Sequence, residues 1–409
     1  MPILTLPSKA KINVDTLRHY PYSRTLTATQ LISLHLLLHK PAPDCESDDA
    51  QFGPYISILP RDFGGHPLTW IVHRTLGVGS REEHSLLRLL PPCVLSDLVL
   101  LERRFWKDWQ AVRVYLDDFP DRSPRHHRIR AQSELILDFV WAWLNVNTRC
   151  LYDDLGLDKD NNISLCPVFD FANHAWIQPT MQPLRVARSE ISPGRARNAD
   201  LVCVSCDKGI SRDQEATLRY GGHPNRTLFV EYGFTNTITS GELMSGAYPG
   251  EVSVHDVVTS LLDSPGETGA FVERTLDTEG YWGDWTMHCS PLPAHASFRL
   301  ITALRLYHSF PAVAGGRVQS EEEMTAASRD WRETILGFAD EMSEENERAC
   351  KESIGRICEE LIERAERGIM DIKEEMRTSS EERYRKVLMT VELLWLEELT
   401  VGEAMLLIE

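Results

Sequence analysis

The chain has 409 residues, of which 42% are hydrophobic and 25% are charged, with 43 lysines and arginines against 61 aspartates and glutamates. This composition is that of an ordinary globular protein and excludes collagen-like, coiled-coil-only and wholly disordered chains. The net charge of −18 argues against sequence-independent binding to nucleic acid, which depends on neutralising phosphates with lysine and arginine.

The N-terminal part of the chain predicts one short strand followed by helices. Residues 3–7 (ILTLP) are apolar and end in a proline, which is typical of a strand. Thr27 and Gln30 form a possible capping box in front of leucines at helical spacing, which predicts a helix. Further helices are expected over about 68–115 and 131–147, with Gly77-Val-Gly79 as a turn between two of them.

The pattern of apolar and turn-forming residues changes twice after residue 160. From 161 to 233, short apolar runs alternate with Gly, Asn, Asp and Pro clusters, which predicts several short strands. Beyond about 235, apolar residues return at helical spacing, most clearly over 354–372 and 384–395. Residues 320–409 contain 25 acidic and 12 basic side chains, so we expect a helical C-terminal region with an acidic outer face.

The nine cysteines are odd in number and scattered along the chain. This usage favours reduced thiols in the cytosol or the nucleus over a disulfide framework. No secretory signal and no apolar stretch long enough to span a membrane is visible. Cys203 and Cys206 form a single CxxC without a second ligand pair nearby, so we interpret them as two buried thiols and predict no metal site.

The strongest signal is a pair of segments, residues 162–175 (NISLCPVFDFANHA) and 216–234 (ATLRYGGHPNRTLFVEYGF). In this order and spacing, they resemble the SET-domain methyltransferases of the Rubisco large-subunit methyltransferase type. Residues 52–60 and 147–150 also resemble that family, so the likeness extends over nearly the whole chain. The matching positions of the two segments are Pro167, Asp170, Asn173, His174, Tyr220, Gly221, Asn225, Leu228, Tyr232, Gly233 and Phe234.

The resemblance implies transfer of a methyl group from S-adenosylmethionine to a protein lysine. By position in the motif, Tyr220 would be the catalytic tyrosine and would also contact the cofactor, and Tyr232 would line the lysine channel. A tyrosine suits such a channel because its ring packs against the lysine methylenes and its hydroxyl can orient the amine. For Tyr232, a place in the core on a helix after the strand remains an alternative.

The resemblance also implies a set of cofactor-binding residues. Asn173 and His174 would bind S-adenosylmethionine, Thr148 and Arg149 would meet its methionine end, and Asp170 would support the loop. For Arg149, a surface position after a helix remains an alternative. The family begins with a G-x-G segment that closes over the cofactor, and no such segment precedes residues 3–7 here. We therefore expect either that the natural N-terminus lies upstream or that the cofactor is bound weakly or not at all.

These inferences predict an α+β protein with a β-rich SET core and an all-α C-terminal substrate-binding domain. The SET domain would cover 1–233, with a helical insertion at about 26–147, and the helical domain 234–409. The expected partner is a protein substrate that carries the target lysine and has a basic surface, such as a ribosomal or histone-like protein, with neither nucleic acid nor membrane involved. A catalytically inactive protein-binding module and a protein-histidine methyltransferase are the alternatives.

Overall fold

The chain folds into two compact units in a computed structural model, which describes residues 2–121, 132–184, 200–206, 209–246, 248, 250–263, 267–310 and 320–407. The first unit comprises Met1–Ser80, Leu98–His223 and Phe229–Gly233. The second unit comprises Arg81–Asp97, Pro224–Leu228 and Phe234–Glu409. Helices and small sheets occur in both, which confirms the α+β class.

Helices dominate the first 150 residues, as the sequence predicts. They are α1 (Ala28–Leu38), α2 (Gly53–Ile58), α3 (Pro67–Leu76), α4 (Arg81–Leu89), α5 (Pro92–Asp118) and α6 (Gln132–Arg149). The predicted capping box begins α1: the Thr27 side chain accepts from the Gln30 N–H, and the Gln30 side chain accepts from the Thr27 N–H. Gly77 ends α3 in the left-handed region at φ +70°, which confirms the turn between helices.

The strands of the first unit are short and lie mostly where the sequence predicts them. They are β1 (Pro2–Leu6), β2 (Leu151–Tyr152), β3 (Ile163–Ser164), β4 (Asn173–His174), β5 (Met181–Pro183), β6 (Leu201–Ser205) and β7 (Thr217–Leu218). β6 lies between β1 and β5 in an antiparallel sheet, β2 pairs with β3 antiparallel, and β4 pairs with β7 in parallel. The parallel β4–β7 pair is the one that positions the site.

The remaining helices are α7 (Asn225–Tyr232), α8 (Ser240–Met244), α9 (His255–Leu262), α10 (Glu267–Thr278), α11 (Phe298–Tyr307), α12 (Glu321–Ala327), α13 (Arg329–Ile335), α14 (Glu344–Thr378) and α15 (Glu382–Leu406). Most of the periodic apolar residues of α14 and α15 are buried, including Leu361 and Leu388. This confirms the helices expected over 354–372 and 384–395. None of the helices described is both long and apolar enough to span a membrane.

The second unit also contains a small sheet that the all-α expectation for the C-terminal region did not include. Its strands are β8 (Glu251–Ser253), β9 (Thr286–His288) and β10 (His295–Ala296), and all of its pairings are antiparallel. Strands of two or three residues are too short to show a period-two pattern in a sequence. The helical prediction therefore holds for most, but not all, of this region.

The CxxC pair lies at the end of β6. Cys203 is fully buried, and its Sγ donates to the carbonyl oxygen of Gln182 at 3.1 Å. Cys206 is only half-buried, so the prediction of two buried thiols is correct for Cys203 alone. Residues three apart on a strand point to opposite faces, which explains why the second thiol leaves the core.

Candidate active site

The two motif segments meet through a short parallel pairing in the first unit. Asn173 pairs with Thr217, and His174 pairs with Leu218. The N–H of Ala175 extends the pairing with a 2.8 Å hydrogen bond to the carbonyl of Leu218. Two segments that are distant in the sequence therefore form one local structure.

Tyr220 is held at both its backbone and its side chain. Its backbone N–H donates to Nδ1 of His174 at 3.1 Å, and its hydroxyl donates to the carbonyl oxygen of Ala172 at 2.9 Å. The rings of His174 and Tyr220 lie 5.2 Å apart between centroids. These contacts fix the phenol beside the Asn-His strand β4 that the first motif contributes.

Tyr232, the last residue of α7, lies next to Tyr220. The two ring centroids are 5.3 Å apart, with 37° between the ring planes. Burial raises the pKa of Tyr232 to about 12, and it also raises the pKa of Tyr220 above its ordinary value. Both phenols are therefore protonated at neutral pH, so neither acts as a phenolate base.

The glycine of the Tyr-Gly-Phe motif ends α7. Gly233 has φ +81°, in the left-handed region that favours glycine, and a Cβ there would lie 2.8 Å from Cδ2 of His66. His66 is buried and donates from Nε2 to the carbonyl of Glu231 at 3.3 Å. The motif therefore needs glycine both for its backbone angle and for close packing against His66.

Asp170 is the buried acid of the site. Its Oδ2 accepts from the Tyr55 hydroxyl at 2.5 Å and from Nη1 of Arg149 at 3.4 Å, while Nη1 also donates to the Asp170 carbonyl at 2.9 Å. Burial raises the pKa of Asp170 above its usual value, and the hydrogen bond from Tyr55 and the charge of Arg149 oppose that shift. Arg149 is mostly buried against this acid, so it is not the surface residue that the sequence left as an alternative.

The other two predicted cofactor residues use part of their hydrogen-bonding capacity locally. Thr148 donates from its hydroxyl to the carbonyl of Leu144 at 2.7 Å, within its own helix α6. Asn173 is exposed, and its amide donates to Oε1 of Glu215 at 2.6 Å. The Thr148 hydroxyl proton is therefore already donated within α6, and the Asn173 side chain is exposed to solvent.

The charges of Arg149 and Asp170 reach the phenol of Tyr220. Burial has the largest effect and raises the pKa of that phenol. The charge of Asp170 adds to this rise, and the charge of Arg149 opposes it. The structure thus brings Arg149, Asp170, His174, Tyr220 and Tyr232 into one neighbourhood. The roles that the resemblance gives to these residues remain predictions.

Tyr55 is a site residue that the sequence analysis did not single out. Its hydroxyl is bound to Asp170, and burial raises its pKa well above the usual value. The signal was present, because residues 52–60 belong to a stretch that resembles the family. The pairing itself joins positions 115 apart, and no local pattern could have indicated it.

No protein-family model matches the chain. Ribosomal lysine N-methyltransferase set11 of Schizosaccharomyces pombe is 25% identical over 401 residues, which cover 96% of this chain and 83% of that protein. Ribosomal lysine N-methyltransferase 2 of Saccharomyces cerevisiae is 23% identical over 303 residues, which cover 69% of this chain and 58% of that protein.

A comparison with solved structures points to the same kind of protein. The solved structure of Rubisco LSMT bound to AdoMet has a TM-score of 0.58 to the chain at 15% identity, and the match covers 99% of this chain and 81% of that one. The chain has the fold of Rubisco LSMT and is similar in sequence to two ribosomal lysine methyltransferases. The resemblance inferred from the two motif segments is therefore confirmed, and the two segments form one structure through the β4–β7 pair.

Proposed function

We propose that this SET-domain protein is an S-adenosylmethionine-dependent protein-lysine N-methyltransferase. The observation that carries the proposal is the joint placement of His174, Tyr220 and Tyr232, with two phenol rings close to strand β4. Both relatives described above are named as ribosomal lysine N-methyltransferases, and the matching Rubisco structure holds AdoMet. These likenesses support the same reaction and the same cofactor for this chain.

Two buried polar atoms support a place for the cofactor. Nε of Arg149 and Oδ1 of Asp170 have no hydrogen-bond partner within the described part of the chain. A guanidinium N–H donates well to a carboxylate, and a carboxylate oxygen accepts well from an ammonium group. The methionine end of S-adenosylmethionine carries both groups, so we assign that end to Arg149, the preceding Thr148 and Asp170. Asn173 and His174 are then left for the adenosine end.

The chemistry requires a neutral lysine amine. When bound, S-adenosylmethionine supplies an electrophilic methyl group on a sulfonium. A lysine with its ordinary pKa near 10.4 would need about 4–5 kcal/mol to lose its proton at pH 7. Burial of the amine beside the rings of Tyr220 and Tyr232 disfavours the charged form, which lowers that cost.

Tyr220 would position the amine. Because its hydroxyl proton is donated to Ala172, the hydroxyl oxygen can act toward an amine only as an acceptor, and one N–H of the amine would be oriented by it. The nitrogen–methyl bond forms as the sulfur–methyl bond breaks, and the amine proton is released to water. Tyr232 would pack along the lysine methylenes.

We further propose that the substrate is a basic protein, with ribosomal proteins as the first candidates. The names of the two relatives support ribosomal proteins. The excess of 13 negative charges over residues 320–409, from 25 acidic and 12 basic side chains, supports a basic docking surface on the substrate. We assign residues 1–233 to the SET domain and 234–409 to substrate docking. The nine free cysteines favour a reducing compartment, the cytosol or the nucleus.

The test is methyl transfer to purified ribosomal proteins. The full chain is incubated with these proteins and tritium-labelled S-adenosylmethionine, the labelled protein is identified, and its hydrolysed amino acids are separated. We expect label in methyllysine, and we expect transfer to weaken at high salt if charge guides docking. Label in methylhistidine would overturn the choice of lysine. No label and no heat of S-adenosylmethionine binding would favour an inactive binding module.

A further inference from the structure

Two histidines and one aspartate converge near the end of α1, away from the site described above. His35 lies on α1, and His39 directly follows its last residue. Residues four apart on a helix share one face. Nε2 of His35 and Nε2 of His39 each lie 3.7 Å from Oδ2 of Asp49, and the three atoms lie within 4.8 Å of one another.

The outward-facing atoms of all three side chains are held by other groups. Nδ1 of His39 lies 2.8 Å from Oδ1 of Asp48, so this nitrogen carries the proton and donates it. Nδ1 of His35 lies 2.9 Å from the Tyr20 hydroxyl, and the tautomer that binds a metal through Nε2 donates its Nδ1 proton to that hydroxyl oxygen. Such partners on the second imidazole nitrogen are the usual surroundings of metal-binding histidines, because they fix the ring and leave Nε2 with a lone pair.

Asp49 is oriented in the same way. Its Oδ1 accepts from the backbone N–H of Gln51 at 2.8 Å and from that of Phe52. The other oxygen, Oδ2, is the one that faces the two imidazoles. Each of the three side chains therefore points one donor atom toward a common centre and anchors its other donor atom outside that centre.

His35 gives an independent reason to place a ligand at this centre. Its side chain is only 1% exposed, and its Nε2 has no hydrogen-bond partner within the part of the chain that the structure describes. A buried polar atom without a partner is destabilising, and a bound ion would supply that partner.

We propose that His35, His39 and Asp49 bind a divalent transition-metal ion of the zinc class. Two imidazoles and one carboxylate suit borderline ions such as Zn²⁺ and Co²⁺, whereas Mg²⁺ and Ca²⁺ prefer ligand sets made only of oxygen. Donors 3.7 Å apart can both lie about 2.1 Å from one ion at an angle of roughly 120°, with small adjustment. A water would take a fourth position, because the Tyr20 hydroxyl is already bound to Nδ1 of His35.

The ion would fasten the segment after α1 to that helix. Asp49 lies just before α2, and α2 carries Tyr55, whose hydroxyl is bound to Asp170. Fixing Asp49 would therefore also fix the start of the helix that supports the buried acid of the candidate active site. The role we infer is structural, since all three ligands come from one short stretch of the chain.

The test is metal binding by the full chain after treatment with a chelator. Binding of Zn²⁺ is measured by competition with a chromophoric chelator, and Co²⁺ is added separately to read the ligand geometry from its visible absorption. We expect one equivalent, a rise in melting temperature with Zn²⁺, and binding at least about tenfold weaker in both Asp49→Asn and His39→Gln. The matched control is His84→Gln, an exposed histidine on α4 that should bind as the wild type does.

Two results would overturn the proposal. One is the absence of binding by the folded wild-type chain, which would leave the cluster as a polar group bridged by water. The other is equal affinity in wild type and Asp49→Asn. Far-ultraviolet circular dichroism shows whether each variant is folded, and Asp48→Asn, which keeps all three ligands, should give a smaller loss of affinity than Asp49→Asn. These measurements involve no methyl transfer, so they succeed or fail independently of the proposed activity.

Discussion

The backbone N–H of Tyr220 donates a 3.1 Å hydrogen bond to Nδ1 of His174, a residue 46 positions earlier in the chain. Because Nδ1 accepts this proton, the neutral imidazole carries its own proton on Nε2. Burial also lowers the pKa of His174 below its usual value. The tautomer of the histidine in one motif is thus set by the backbone of the tyrosine in the other.

The first prediction concerns the hydroxyl of Tyr220. Tyr220→Phe removes the hydrogen bond to Ala172 and the acceptor that would orient the amine, while the ring contacts with His174 and Tyr232 can remain. We expect kcat for methyl transfer to fall by about 100-fold, the usual loss when one positioned polar group is removed from an active site. The measurement is steady-state transfer of labelled methyl groups.

The control for this variant is Tyr152→Phe. Tyr152 is 65% exposed on β2, so its hydroxyl should contribute nothing to turnover. Equal S-adenosylmethionine binding by Tyr220→Phe and wild type, measured by calorimetry, would place the effect on the transfer step. Turnover at the wild-type level in Tyr220→Phe would contradict the catalytic role.

The second prediction concerns the hydrogen bond from Tyr55 to Asp170. Tyr55→Phe leaves a buried carboxylate without its closest donor at 2.5 Å. We expect the free energy of unfolding to fall by about 1–3 kcal/mol, the cost of a buried acceptor that loses its partner. Urea unfolding followed by fluorescence measures it. A loss as small as that of the exposed Tyr152→Phe would mean that water replaces the missing donor.

The same substitution should weaken cofactor binding if our assignment of the methionine end is correct. Asp170 lies between Tyr55 and Arg149, so loss of one donor lets the carboxylate shift toward the other. We expect a several-fold higher dissociation constant for S-adenosylmethionine by calorimetry. An unchanged constant in a destabilised variant would show that this pair supports the fold without orienting Arg149.

The parts of this protein that could be predicted from sequence are those with a local physical signal. The capping box is predicted from the identities of Thr27 and Gln30, which are three residues apart. The apolar faces of α14 and α15 are predicted from the helical spacing of their apolar residues. The resemblance to a known family is what selected His174 and Tyr220 as site residues. Neither residue has a local feature that would select it over other histidines and tyrosines.

The parts that were missed depend on contacts between distant positions. The Tyr55–Asp170 hydrogen bond and the convergence of His35, His39 and Asp49 both depend on how loops close. The spacing of His35 and His39, four residues apart, is a signal that sequence analysis could have used. Two histidines alone do not define a metal site, so a third ligand had to be found. The loop that brings Asp49 back to α1 has no periodic pattern that would indicate this contact.

The third prediction concerns the packing of α14 against α15. A Cβ on Gly368 would lie 2.4 Å from Cε2 of Trp395, whose indole donates to the Leu89 carbonyl at 2.8 Å. Gly368→Ala must therefore displace a buried ring that is also held by a hydrogen bond. We expect a loss of about 1–3 kcal/mol in the free energy of unfolding, which is typical of overpacking.

Gly241→Ala provides the comparison for that variant. Gly241 is an exposed residue of α8, and the nearest atom to its added Cβ would be 4.0 Å away, so alanine should be neutral or slightly stabilising there. Both variants are compared with wild type by urea unfolding. Similar stability of the two variants would show that the Trp395 ring moves aside without cost.

The last prediction is a pH dependence of stability that arises from Glu397. This side chain is buried, and burial raises its pKa from about 4.5 to about 8, with the charges of Glu251 and Glu398 adding to the shift and a hydrogen bond from Asn225 opposing it. The folded state therefore holds the proton more tightly than the unfolded state does. The resulting stabilisation is complete below about pH 4.5 and is lost as the pH rises through about 8.

Glu397→Gln keeps the shape of the protonated acid and removes its titration. The variant should therefore gain stability relative to wild type as the pH is raised from about 5 to about 8.5, as measured by urea unfolding at several pH values. Glu403→Gln, an exposed position on the same helix α15, should differ from wild type by the same amount at each pH. A difference between Glu397→Gln and wild type that stays constant over this range would mean that Glu397 titrates alike in the folded and unfolded chain, with the charge accommodated by water or by the network around Asn225.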